Sequence, residues 1–150
     1  MLRVHFPIAE RVDDAAGNRG GTFQVRQKPW DYYGCIFGGD MWACEVKRVK
    51  STRFPLENFK EHQHEALFRL HKNLGNAWVA INWRVGGKRG TGVAVLLPYS
   101  IFKDACDAAL ERGCKHLKWT DFAERWQLIR ITNGWKFHSE HPLVGCTGGL

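Results

Sequence analysis

The strongest constraint on the fold is one helical stripe set between runs of strand-forming residues. Leu56, Phe59, Ala66, Leu67, Leu70 and Leu74 recur with a helical period, and Gly75 stands where a C-terminal stop belongs. Pro55 is tolerated in the first turn of such a helix. Upstream, residues 22–26, 32–37 and 41–49 read as strands, the last two joined by Gly38-Gly39-Asp40, a composition suited to a hairpin turn. Downstream, strands over 77–85 and 91–97 flank a glycine-rich basic loop, and Ser100 caps a second helix running to about Arg112, before Gly113. Residues 127–132 and 135–138 flank Asn133-Gly134, a two-residue hairpin signal, and residues 8–16 read as a short helix before a glycine cluster. Helices interspersed with strands in this way predict a single α/β domain over residues 1–150, built on a mixed sheet, with a mobile Gly-rich tail from about Pro142.

Composition excludes several classes. With 44% hydrophobic and 25% charged residues, wholesale disorder is not expected. The longest apolar runs, such as residues 93–98, are far too short for a bilayer, and no apolar stretch of signal-peptide type precedes Glu10 and Arg11. The five cysteines (Cys35, Cys44, Cys106, Cys114 and Cys146) are odd in number and contain no C-x-x-C pair, which argues against a disulfide framework or a zinc knuckle. A cytoplasmic protein with reduced thiols is the expectation, with Cys44 and Cys106 as small core residues. Trp42, Trp78 and Trp83 lie in strands and read as core, while His62, His64 and His71 read as polar-face residues of the first helix. A net charge of +7 favours a polyanionic partner.

The chemistry is concentrated around Asp31 and the Glu45-Val46-Lys47 run. On a strand, residues two apart share a face, so Glu45 and Lys47 project together. A hairpin of this length brings Asp31, at the start of one strand, near Glu45 on its partner. Two carboxylates and an ammonium then converge, a set suited to phosphodiester hydrolysis. Mg²⁺ takes one or two carboxylates, waters and phosphate oxygens, with Mn²⁺ able to substitute. Such an ion lowers the pKa of bound water, and a lysine beside it orients that water or stabilises the transition state. Two carboxylates alone repel by about 4 kcal/mol at about 4 Å, so the cation has a physical task. Glu-x-Lys is also among the commonest surface patterns, and Asp31 equally suits a turn.

Gln63 falls on the apolar stripe of the helix, four residues from both Phe59 and Leu67. Either its amide reaches water at the helix edge, or it reaches the strand that carries Glu45. Basic residues cluster at Arg48, Lys50, Arg53 and Lys60, again at Lys88 and Arg89 in the glycine loop, and at Arg112, Lys115 and Lys118. Each alone suits a solvated face; together they suit a DNA footprint.

Three stretches, Asp31-Tyr32-Tyr33-Gly34, Glu45-Val46-Lys47 and Phe54-Pro55-Leu56-Glu57-Asn58-Phe59-Lys60-Glu61-His62-Gln63, resemble the RecU-type Holliday-junction resolvases. That family lies within the restriction-endonuclease-like Asp…Glu-x-Lys nuclease superfamily. The resemblance covers roughly residues 22–112 and implies a restriction-endonuclease-like mixed sheet flanked by helices. It also implies a homodimeric, Mg²⁺-dependent endonuclease that makes paired symmetric nicks in four-way or other branched DNA. Carried over, Asp31 and Glu45 are metal ligands, Lys47 serves the attacking water or the transition state, and Gln63 is an accessory residue. Related archaeal-type resolvases carry a further helix-borne acid, for which Glu10 is the candidate. Trp30 departs from the small or Pro residue common before the Asp, and the short N-terminal region implies a reduced stalk, as in a compact phage or archaeal-style enzyme. The expected setting is a bacterial or phage-infected cytoplasm. The rival readings are a nuclease of this fold acting on duplex ends, flaps or specific sites, and a DNA-binding module without catalysis.

Overall fold

Nine consecutive residues, Met41–Val49, form the longest strand (β3), and everything that positions the carboxylate–lysine group is built around it. The structure, a computed structural model, describes residues 10–11, 29–35, 40–73, 75–85, 92–131 and 134–146. In chain order the elements are β1 (Glu10–Arg11), β2 (Tyr32–Cys35), β3, β4 (Phe54–Pro55), α1 (Glu61–Lys72), β5 (Asn76–Trp83) and β6 (Val93–Pro98). They continue with α2 (Tyr99–Glu111), β7 (His116–Leu117), β8 (Gln127–Ile131) and β9 (Gly134–Phe137).

Among the described residues seven strands form one sheet in the order β1-β2-β3-β5-β6-β8-β9, while β4 and β7 pair separately. Of the described pairs only β3 and β5 run parallel, with α1 in the connection between them. The sheet is therefore mixed and flanked by helices, as the sequence pattern predicts. Trp42 to Glu45 are buried on both faces, which is what a central covered strand requires.

The register aligns Ala43, Glu45 and Lys47 with Ala77, Val79 and Ile81, so all six share a face. On that face Phe102 of α2 packs against Phe54 and Phe59, at ring-centroid distances of 6.4 and 4.7 Å. The opposite face is closed near Trp78 by a segment after β9. There His141, 2% exposed, stacks on Trp78 and on Phe137, and Leu143 is also buried. Leu143 N–H donates to His141 Nδ1 at 3.2 Å, so the proton on Nε2 is directed to the Leu96 carbonyl at 3.1 Å.

Several boundaries differ from the sequence pattern for physical reasons. The helical period starting at Leu56 is broken: Leu56–Asn58 form a 3-10 turn, Phe59 and Lys60 are extended, and α1 starts at Glu61. Leu56 and Phe59 keep the helical spacing because both turn inward to the same core. The expected helix over 8–16 is corrected at its described part, since Glu10 and Arg11 are strand residues opposite Tyr33 and Tyr32. In the described part of the expected tail, Pro142–Cys146 form a 3-10 turn and Leu143 is buried. His64 is no polar-face residue; its ring is half-buried against Phe59 at 4.5 Å, and its Nδ1 lies 3.1 Å from the Tyr99 hydroxyl. The expected strand at 22–26, the tip of the β2–β3 hairpin and the loop carrying Lys88 and Arg89 lie outside the described residues.

The second helix ends as its sequence requires. Gly113, with φ +70°, lets its own N–H reach the Leu110 carbonyl and the Cys114 N–H reach Ala109, closing a Schellman motif.

Candidate active site

Three elements meet at the site: the start of β2, the middle of β3 and the N-terminal turn of α1. The antiparallel register pairs Tyr32 with Cys44, and its continuation sets Asp31 opposite Glu45. Asp31 extends the ladder by its side chain as well as its backbone. Its N–H donates to the Cys44 carbonyl at 3.2 Å, while its Oδ2 accepts the Val46 N–H at 2.9 Å. That second bond holds the carboxylate against β3 just before β2 begins.

Glu45 is 2% exposed, a severe environment for a carboxylate. Its Oε1 accepts from the Gln63 amide and pairs with Lys47 Nζ at 2.8 Å. Gln63, 8% exposed, returns its own Oε1 to Lys47 Nζ at 2.8 Å and to the Lys60 N–H at 3.0 Å. The glutamine thus caps the first turn of α1 and ties that turn to β3 with one side chain. Lys47, its side chain 17% exposed, also lies 5.4 Å from the centroid of the Phe59 ring. The aromatic face attracts a cation placed over it.

The thiol beside this group is a core residue, as expected. Cys44 is fully buried and its pKa stands well above the usual thiol range. Burial is the main cause, reinforced by the negative charges of Glu45 and Asp31, and a hydrogen bond from the Ala80 backbone opposes it only in part. The thiolate is suppressed, so Cys44 offers no nucleophile here.

The structure therefore brings together Asp31, Glu45, Lys47 and Gln63. Arg48 is exposed on the other face of β3 and lines a cavity of about 90 Å³ with Tyr32, Val46 and Asn82. Lys50 and Arg53 are exposed beyond the end of β3, and Lys60 is exposed with its ammonium on the Glu57 carbonyl at 2.9 Å. Glu10 lies on strand β1 and is not helix-borne, a correction to the archaeal-type assignment. Phe59 was missed as a site residue because its helical spacing marks it as core, which it also is. Its place beside Lys60 and Gln63 in one short run is the signal that could have found it.

The donor set suits a hard divalent cation: two carboxylates from adjacent strands, with a lysine and an amide alongside. Among the described residues no group of three or more His, Cys, Asp and Glu converges, so the candidate donors here are these two carboxylates alone.

The described strands form a mixed α/β sheet with two helices packed against its centre, the fold class the sequence predicts. The model of one family, recombination protein U (RecU), matches residues 9–139, and the chain belongs to that family. No curated protein matches the chain. Among solved structures, the chain is similar to Hjc from Archaeoglobus fulgidus, a Holliday junction resolvase from an archaeal hyperthermophile. The identity is 17%, the match covers 95% of this chain and 85% of that one, and the TM-score is 0.38.

Proposed function

We propose that this member of the recombination protein U family is a divalent-metal-dependent endonuclease that resolves four-way DNA junctions. It acts as a homodimer, placing two sites on a two-fold-symmetric junction to make paired nicks. The observation that carries this reading is the Glu45–Lys47–Gln63 group, fastened to the strand opposite Asp31.

Asp31 and Glu45 are the residues that would hold Mg²⁺, or Mn²⁺ in its place. The ion, when bound, supplies an acidified water and offsets charge developing on phosphorus. The chain's own groups do the rest. Lys47 presents a fixed positive charge at the rim of the site, where it attracts the scissile phosphate and stabilises its transition state electrostatically. Gln63 holds that ammonium and the Glu45 carboxylate in one arrangement, so little reorganisation is needed when DNA arrives. Phe59 and the buried floor of β3 exclude water beneath the lysine.

The test is gel-resolved cleavage of a four-way junction in Mg²⁺, beside a linear duplex of the same sequence and a metal-free control. Nicks at opposed positions in the junction, absent without metal, are the expected result. Asp31→Asn and Glu45→Gln should each abolish cutting while junction binding persists. Cutting at the wild-type rate by either variant would remove these residues from the site.

A further inference from the structure

A second charged surface lies next to the site on the small β4–β7 ribbon. Phe54 pairs with Leu117 and Pro55 with His116, and the Leu56 N–H donates to the Lys115 carbonyl at 3.0 Å. Phe54 and Leu117 point inward and are fully buried, so the alternation turns their neighbours outward. Continuing the register sets Arg53 opposite Lys118, and both are exposed. Like charges directly across a strand pair destabilise it unless an anion intervenes. Beside them, Arg53, Lys115 and His116 line a groove of about 470 Å³ together with Leu56, Glu57 and Leu110. Two cations and an imidazole face one carboxylate there, and Leu110 is left 57% exposed.

The position of this groove matters as much as its charge. Glu57 stands three residues before Lys60, whose N–H shares the Gln63 oxygen with Lys47. The Glu57 carbonyl also accepts the Lys60 ammonium at 2.9 Å, so the groove and the first turn of α1 are directly joined. A polyanion with a charge at every nucleotide can follow that path, as a phosphodiester backbone does.

We infer that the Arg53–Lys115–His116 groove, with Lys118 at its edge, is a DNA-backbone contact for the arm that leaves the active site. It takes successive phosphates flanking the scissile one and reads no base. The inference rests on the nuclease reading for the place of the scissile phosphate, but its measurement does not depend on cleavage.

The experiment measures binding of a junction and of a linear duplex, without divalent metal, over a range of salt concentrations. It compares the wild type, the double variant Arg53→Gln/Lys115→Gln, the single variant Lys118→Gln, and Lys72→Gln on the exposed last turn of α1 as a control. The double variant should bind roughly tenfold more weakly on every sequence tested. The slope of log affinity against log salt should become shallower by about one for each lost phosphate contact. Lys118→Gln should shift in the same direction by less, and Lys72→Gln should match the wild type. Melting temperatures check that the exposed substitutions leave folding intact. Unchanged affinity and slope in the double variant would overturn the groove as a contact, while junction cutting by the wild type would leave the nuclease reading standing. Retained cutting by Asp31→Asn, together with the predicted slope change, would sink the active-site reading and keep the groove. A wild type that binds neither DNA would overturn both.

Discussion

Gln63 shows why a polar residue on an apolar stripe deserves a structural explanation. Its amide has one acceptor and one donating nitrogen, and each is committed: the oxygen to Lys47 and the Lys60 N–H, the nitrogen to Glu45. Gln63→Ala would leave a buried carboxylate and a helix N-cap with fewer partners. Each unsatisfied group costs on the order of 1–3 kcal/mol, so urea unfolding should show a loss of about that size and junction cutting should fall with it. His64, the next residue, gives a pH signature. Burial is the main cause holding its pKa below the ordinary 6.5; Lys103 adds to this, while the charges of Glu61 and Asp107 pull the other way. The folded ring therefore stays neutral at pH values where the unfolded ring accepts a proton. Its contribution to stability is complete above pH 6.5 and is lost as pH falls from there towards the lowered folded value. Denaturant midpoints measured from about pH 7.5 down to about pH 5 should fall, and less so in His64→Gln. At this scale residue type and spacing marked Asp31, Glu45 and Lys47 as candidates, and left Gln63 either in water at the helix edge or on the strand that carries Glu45. They could not announce His64 under Tyr99, because that contact depends on where α1 and α2 are placed.

Elements were easier to read where their ends carry local chemistry. Strand β3 was legible to the residue because the alternation, the hairpin composition before it and the polar run after it agree. The end of α2 was legible because Gly113 marks it, whereas α1 began late because a core-directed Phe59 mimics one more helical turn. Two glycines separate two costs. At Gly113 a side chain would meet nothing within 4 Å, so Gly113→Ala pays only for the left-handed backbone, about 1–2 kcal/mol. At Gly92, with φ +141°, an added Cβ would stand 2.4 Å from the Trp83 carbonyl oxygen, and backbone must move. Gly92→Ala should therefore lower the melting temperature more than Gly113→Ala does. Equal shifts would show that the β5–β6 contact yields without cost.

At the scale of the molecule, the class and the mixed sheet followed from the order of helix and strand patterns. The pairing of β1 with β2 did not, since two strand residues leave no periodic signal. Nor did the role of the C-terminal residues, whose glycine-rich composition hides one buried histidine and one buried leucine. The family match stops at residue 139, two positions short of His141. A chain cut after residue 139 would look intact by that measure. It would nonetheless lose the ring that stacks on Trp78 and bonds the Leu96 carbonyl, opening the back of the sheet behind the strand that carries Glu45. Such a truncation should melt several degrees below the full chain and expose indole fluorescence to quencher. Anyone trimming this protein to the span its family model matches would be removing a wall rather than a trailing thread.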